Sequence, residues 1–450
     1  MHIKFHHLTA DQENIVNLMI NAALKKVDPF ETVINQIDID EDQLKICGNE
    51  YILADIDRII LVGMGKAVGP MAAAIIKKIG KKIDSGVLVG KHNIDVWKIP
   101  ENIDVYYGSH PIPSEKSFAG AEALLKRVAN TTENDLIICL VSGGGSALAS
   151  RPVDSINLTE MQDLTRLMLE SGADIGEFNT VRKHLDEIKG GGMARCARNT
   201  PMETLILSDV LGDDVSMIAS GPTVADETSY LDAYEILRKY QLIKRVPERI
   251  LSVIKTGIEG EGQQSISRIS DYQSNKHNHI IGSLSKAIAA AEQIAKDNGL
   301  KTQVVSTCLV GEAREVGKIF GTILRSIATT DMVLPRPAVI ISGGETTVTI
   351  RGDGKGGRNQ EIAFGALKEI HGLDDCAVIA IATDGEDGPT DAAGAYVTGN
   401  TLSRAESLGE QLEKYGANNN TYEFFDRIGN LIKTGPTGTN VNDLLFLFAF

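Results

Sequence analysis

Short aliphatic, β-branched runs recur down this chain, and each ends in a glycine-rich or polar turn that opens a helical pattern. Residues 59–62 run into GMGKAVGP, after which Met71, Ile75 and Ile79 recur on one helical face. Residues 136–141 (LIICLV) end in SGGGS. The next helix is predicted to start at Thr159, with Gln162 at capping-box spacing, Met161, Leu164 and Met168 on one side, and Gly172 as its stop. Residues 204–207 lead to SDVLGDD, 280–281 to GSLSKAIAAAEQIA, 339–341 to SGGE, and 377–382 to TDGEDGPTDAAGA. Continuous apolar strands alternating with helices point to the α/β class, with a mostly parallel sheet covered on both faces. Ligands of such sheets sit beyond the carboxyl ends of the strands.

At 450 residues, 42% hydrophobic and 23% charged, the chain has the make-up of a globular protein of two or three domains. The polar, low-aliphatic stretch EGEGQQSISRISDYQSNKHN, residues 259–278, is the best boundary, dividing the chain near 275 into 1–275 and 276–450. A formal net charge of -15 works against nucleic acid and anionic membranes as partners, since both are bound through cationic surfaces. A small anion remains compatible with it where basic residues gather locally. Cysteines 47, 139, 196, 308 and 376 are odd in number and widely spaced, which suits a reducing cytoplasm. The opening MHIKFHHLTADQENIV has no apolar signal core, and no later segment approaches the length of a membrane span, so a soluble, cytoplasmic protein is expected.

Within this frame the glycine-rich strand ends read as one cleft. SGGETTVTIRGDGKGGRNQE, residues 342–361, sets glycines beside an acid, Glu345, and a base, Arg358, with Gly344 and Asn359 alongside; bare backbone N–H groups and a guanidinium suit a phosphate. GMGKAVG fails the dinucleotide fingerprint, because Gly65 is followed by Lys66, Ala67 and Val68 and the next strand ends in Lys91 and His92 rather than an acid. It fails the Walker A pattern as well. What remains is Lys66 in a turn with Gly63 and Gly65 at a helix start, either an anion site or a tight turn with a solvated lysine. SGGGSA offers Gly143, Gly144 and Gly145, with Ser142 and Ser146 as neutral donors. FNTVRKHLDEIKGGGMA gathers Asn179, Arg182, Lys183 and Lys189, either as an anion pocket or as a charged face paired with Asp186 and Glu187.

Carboxylates follow at two strand ends: Asp209, Asp213 and Asp214 in SDVLGDD, and Asp384, Asp387 and Asp391 in TDGEDGPTDAAGA. Such groups hold magnesium or accept a hydroxyl proton in phosphoryl transfer, and they are also ordinary turn residues. TGPTGTNVNDLLFLF puts Thr437, Thr439, Asn440 and Asn442 before an apolar tail read as a core strand. No CxxC pair marks a zinc site. His277 and His279 read as solvated surface residues, and His110, in GSHPIP, as structural.

GMGKA, GSHPIP, VSGGGSAL, NTVRKHL, KGGGMA, SDVLGDD, ASGPT, SGGETTVTIRGDGKGGRNQE, TDGEDGPTDAAGA and TGPTGTNVNDL run in order from residue 63 to 444. Together they resemble the class II glycerate 2-kinases with a MOFRL-type C-terminal domain. The resemblance implies a Rossmann-like N-terminal domain, a second α/β domain and an active site in the cleft between them. It implies transfer of a phosphoryl group from ATP, with Mg2+, to the C2 hydroxyl of D-glycerate, by a monomer or a homodimer. Carried onto this chain, Lys66 would neutralise the phosphoryl group or hold the carboxylate, Asp209 would accept the hydroxyl proton or hold metal with Asp213 and Asp384, and Arg358 would clamp phosphate. The chain departs from the family pattern at Leu211, at Gly192 and Met193, and at Glu386. These bear on loop geometry and on any arginine contact from position 192. Two other classes are weighed: a hydroxypyruvate or tartronate oxidoreductase, which should carry the missing dinucleotide fingerprint, and a non-catalytic sugar-phosphate or nucleotide sensor.

Overall fold

The computed structural model describes residues 2–91, 97–153, 155–260, 275–330 and 332–450; His92 and most of the polar stretch 259–278 lie outside them. Contacts divide the chain into a unit of Pro29–Ile281 and a unit formed by Met1–Asp28 with Gly282–Phe450. Two features separate this from a single cut near 275. The strand after the polar stretch still pairs with the first sheet, and the first 28 residues pack with the C-terminal half.

The Pro29–Ile281 unit begins with an antiparallel meander of β1 (Ile37–Ile39), β2 (Gln43–Ile46) and β3 (Asn49–Ile52). Its main sheet contains β4 (Ile59–Met64), β5 (Ile83–Gly90), β6 (Ile103–Tyr107), β7 (Leu136–Ser142), β8 (Met202–Leu207) and β9 (Lys276–Gly282). The spatial order is β6-β5-β4-β7-β8-β9, and the pairs from β6 through β8 are parallel. Every residue of β4, β7 and β8 is buried, as the unbroken apolar runs require of strands covered on both faces. Chain order reverses between β4 and β7, so the turns at residues 64–68 and 142–146 leave the sheet side by side at the switch point of a doubly wound fold.

The helix expected at Thr159 is Leu158–Ser171, capped two residues earlier than the Thr159/Gln162 spacing suggests: the Asn157 side chain accepts from Glu160 N, and Glu160 reaches back to Asn157 N. Gln162 instead donates to the Pro113 carbonyl at 2.9 Å. Gly172 closes the helix in the left-handed region, φ 75°. His279 is also tied down rather than solvated. Its Nε2 lies 2.6 Å from the wholly buried Glu203 carboxylate of β8, which Asn49 and Tyr51 also contact.

The second unit contains β10 (Lys301–Leu309), β11 (Ala338–Gly344), β12 (Cys376–Ala382), β13 (Gly394–Thr398), β14 (Leu431–Ile432) and β15 (Asp443–Ala449), in the order β10-β11-β15-β12-β13-β14. The expectation of parallel pairing holds here for β10–β11 alone; β15 inserts between β11 and β12 antiparallel to both, and β13 and β14 continue antiparallel. Apolar run length predicts a buried strand but not its neighbour, and the C-terminal tail, buried throughout, takes the central slot. The helix Ala10–Lys26 lies along Leu284–Asp297 and buries Val16, Met19, Ile20 and Ala23. The Thr439 hydroxyl donates to the Val27 carbonyl at 2.7 Å. All five cysteines are free thiols. Among the described residues no helix is long and apolar enough to cross a membrane.

Candidate active site

Three glycines let four elements of the Pro29–Ile281 unit meet at the switch point. Gly65 takes φ 131°, a value that side-chain-bearing residues rarely adopt, and a Cβ there would overlap Ser142 Oγ. The two turns are stitched directly: Lys66 N donates to the Gly143 carbonyl at 2.9 Å, and Ala67 N donates to Ser142 Oγ at 3.0 Å. Gly144 takes φ 76°, and a Cβ there would lie 3.0 Å from Lys66 Cε and 3.2 Å from His110 Cδ2. A Cβ on Gly143 would overlap the Asp209 carboxylate. The bare Gly143–Gly144 turn is thus flanked by a carboxylate from the end of β8, an exposed lysine from the end of β4, and a histidine from the loop after β6.

A second ring supports this turn. The Arg182 guanidinium, 5% exposed, donates to the Ser146 carbonyl at 2.7 Å and stacks over Phe178, and its Nε has no partner. Burial pulls its pKa down to about 10 against the attraction of Asp186. Ser146 Oγ lies 2.7 Å from Ser220 Oγ, and Ser220 donates to Asn179 Oδ1 at 2.9 Å. Ala219 and Ser220 both sit at positive φ, 50° and 63°, where residues with side chains are strained. His110 is pushed down to about 4 by burial and by Lys66, Lys91 and Arg182.

Other predicted residues separate from this group. Lys189 is wholly buried in an ion pair with Asp186, and burial lowers it to about 8, so it is a core residue rather than a ligand contact. Lys183 pairs with buried Asp226. At Gly192 a side chain would overlap the Glu187 carbonyl, so this backbone has no room for the arginine that the family pattern carries there. Asp213 stands at φ 58°, and Asp214 accepts from Ser216 N at 2.8 Å, ordinary turn chemistry. Among the described residues no three His, Cys, Asp or Glu side chains gather as a metal site.

The second unit holds the Arg358 group. Arg358 donates through Nε and Nη2 to Asp443 and through Nη1 to Glu345 at 2.9 Å. Burial pushes the Asp443 carboxyl up against the pull of Arg358; we read the pair as ionised, because the guanidinium gives this carboxylate two N–H groups and keeps its proton at neutral pH. Gly344 lies inside β11, where a Cβ would overlap the Leu309 carbonyl, so strand packing alone requires it. Gly352, Gly354 and Gly356 press against residues 418–421 in the same way, and Gly357 against Asp387. Asp387 accepts from Asn359 N at 3.1 Å and Gln360 N at 2.9 Å, capping the helix Arg358–Ala366, with Asn359 Nδ2 also donating to it. Asp384 accepts from Glu386 N at 3.0 Å and Asn440 from Asn442 N at 3.1 Å, both inside their own turns.

The structure brings together Lys66, Asp209 and the SGGGS turn, which the sequence singles out, and adds His110, which the sequence reads as structural. The signal available for it was the position of GSHPIP just after a strand end, two strands from the switch point. Substituting Gly143 by alanine tests the arrangement. The new methyl must displace the Asp209 carboxylate, and a displacement near 1 Å is expected to lower kcat on the order of 100-fold with an unchanged far-ultraviolet circular dichroism spectrum.

A doubly wound unit whose switch-point turns present bare glycines to lysine, arginine, histidine and aspartate is that of an α/β enzyme acting on a small anion. Comparison with known proteins narrows the class. Residues 15–255 match the model described as a domain of unknown function, DUF4147, and residues 338–443 match the MOFRL family. A glycerate 2-kinase of Pyrococcus horikoshii is 40% identical over 428 residues, 95% of each chain. The crystal structure of a glycerate kinase of Thermotoga maritima superposes with a TM-score of 0.85 at 35% identity, covering 97% of this chain and 99% of that one. A provisionally named hydroxypyruvate reductase of Agrobacterium vitis is 39% identical over 394 residues, 86% of each chain. The chain belongs to the family of glycerate 2-kinases built from a DUF4147 and a MOFRL domain.

Proposed function

We infer that this chain is an ATP-dependent glycerate 2-kinase, phosphorylating D-glycerate at its C2 hydroxyl to give 2-phospho-D-glycerate and ADP. The observation that carries the reading is the Gly143–Gly144 turn, bare of side chains, with the Asp209 carboxylate against one glycine and Lys66 against the other. The C2 oxygen bonds to the γ-phosphorus, the bond from that phosphorus to the ADP oxygen breaks, and the hydroxyl proton leaves to an acceptor. Such transfers need little covalent help from protein, so placement and charge dominate. Lys66 stabilises the equatorial oxygens of the moving group or the substrate carboxylate, and Asp209 receives the proton. Ser142, Gly145 and Ser146 shape the turn, while Arg182 adds positive potential from beneath it.

Magnesium in phosphoryl-transfer sites is usually held by one or two carboxylates together with substrate phosphates and water. With Asp209 taken up as the proton acceptor, Asp213 is the residue of this unit that would hold it, where it would neutralise phosphate charge; Asp384 is the candidate in the other unit. Arg358 remains a candidate phosphate ligand through the N–H donors that Glu345 and Asp443 leave uncommitted.

Phosphorus NMR of the product from ATP, Mg2+ and D-glycerate tests the reading. The expected resonance is that of 2-phosphoglycerate, and a 3-phosphoglycerate product would overturn the regiochemistry. The reductase name of the Agrobacterium relative supports no second reading here, because Val68 stands where the fingerprint needs a glycine or alanine and β5 leads into Lys91 rather than an acid. No oxidation of NADH with hydroxypyruvate is expected.

A further inference from the structure

His110 belongs to the loop after β6, yet its ring lies over the same bare Cα as Lys66, at Gly144. The groups that face it are Lys66 from the turn after β4, Lys91 from the end of β5, and Arg182 from the helix Ile175–Lys183. All three are cations, and lysine and arginine side chains can only donate hydrogen bonds. They suit a carboxylate or a phosphoryl group and can do nothing for a hydroxyl proton. A neutral imidazole differs from them in having one nitrogen with a free lone pair. Burial and these cations together favour the neutral form of His110, so it brings to this cationic cluster the acceptor that the cluster lacks.

D-Glycerate has two hydroxyls and therefore needs two acceptors. Under the kinase reading, on which this inference rests, Asp209 beside Gly143 serves the hydroxyl that loses its proton. An imidazole made a weak base by its neighbours suits a hydroxyl that keeps its proton. We propose that His110 is a substrate-contacting residue that accepts a hydrogen bond from the C3 hydroxyl of glycerate, and so sets selectivity against 2-hydroxy acids that lack it.

D-Lactate keeps the carboxylate and the C2 hydroxyl and lacks only the C3 hydroxyl, so it isolates this contact. The test measures kcat and KM for D-glycerate, and the inhibition constant of D-lactate against it, in the wild-type enzyme and in His110→Ala and His110→Gln. For His110→Ala, kcat/KM for D-glycerate should fall about tenfold or more, the usual worth of one hydrogen bond to a buried polar group, while lactate inhibition shifts less than about threefold. His110→Gln, which keeps a carbonyl acceptor, should recover part of the loss. An equal shift in glycerate and lactate constants, or a glycerate constant unmoved by either substitution, would overturn the proposal. Should His110→Ala fail to fold, the same comparison in His110→Gln decides it: a shift confined to glycerate supports the contact, and a joint shift or none refutes it. A wild-type enzyme that forms no ADP with D-glycerate would remove the kinase reading itself, a result distinct from any pattern among the variants.

Discussion

Lys66→Ala is expected to lower kcat for D-glycerate phosphorylation by about three orders of magnitude with little change in thermal stability. The side chain is exposed at its turn and packs over the bare Cα of Gly144, so its removal leaves no cavity in the core. Its charge is what the reaction needs. A cation aimed at a transferring phosphoryl group acts on charge that develops during the step, and losing one such group typically costs on the order of 100- to 1000-fold or more. Steady-state ADP formation beside a melting curve checks both halves. Turnover within about threefold of wild type would remove Lys66 from the phosphoryl path.

Arg358→Ala is expected to do something different, namely to destabilise the unit that contains it. From the sequence, Arg358 reads as a phosphate clamp. In the structure it neutralises Asp443, whose side chain is 6% exposed, and bonds Glu345 as well. Removing it strands a buried carboxylate at the start of β15, the central strand of the second sheet. Breaking a buried pair from one side costs about 3 to 5 kcal/mol, and because Arg358 keeps some contact with solvent the lower figure, about 3 kcal/mol, applies. The double variant Arg358→Ala/Asp443→Asn should recover about 1 kcal/mol or more, since the stranded charge is gone. Urea unfolding of the three proteins decides it; an Arg358→Ala variant as stable as wild type would show that the pair contributes nothing to the fold. Activity measured well below the unfolding midpoint then reports on the phosphate role separately.

Much of the first unit was legible because its signals are local. Residues 59–62, 136–141 and 204–207 lie within β4, β7 and β8, since unbroken apolar runs bounded by glycine have few other places to go. The second unit was less legible. The tail at 443–449 reads as a core strand and is one, but nothing local says that it slips between β11 and β12 and turns most of that sheet antiparallel. Nor does the pattern around Met19 and Ile20 say that the first helix packs on Leu284–Asp297. Glycines misled in one direction: GDGKGG looks like a phosphate cradle, and its glycines are explained by backbone packed against residues 418–421 and Asp387.

The sequence by itself determined the class of element at each position and the set of residues able to do phosphate chemistry. Periodicity, chain direction and backbone freedom act over a few residues, and they leave Lys66, Asp209 and the SGGGS turn at strand ends whatever the rest of the chain does. Tertiary structure decided which cations face solvent and which are locked inside. Lys66 and Lys189 each stand beside a glycine, yet one lies exposed at the switch point and the other is sealed against Asp186. It also brought His110 to Gly144 from a different loop. The reason is that burial and strand adjacency depend on contacts between residues far apart in the chain, and no local pattern encodes those.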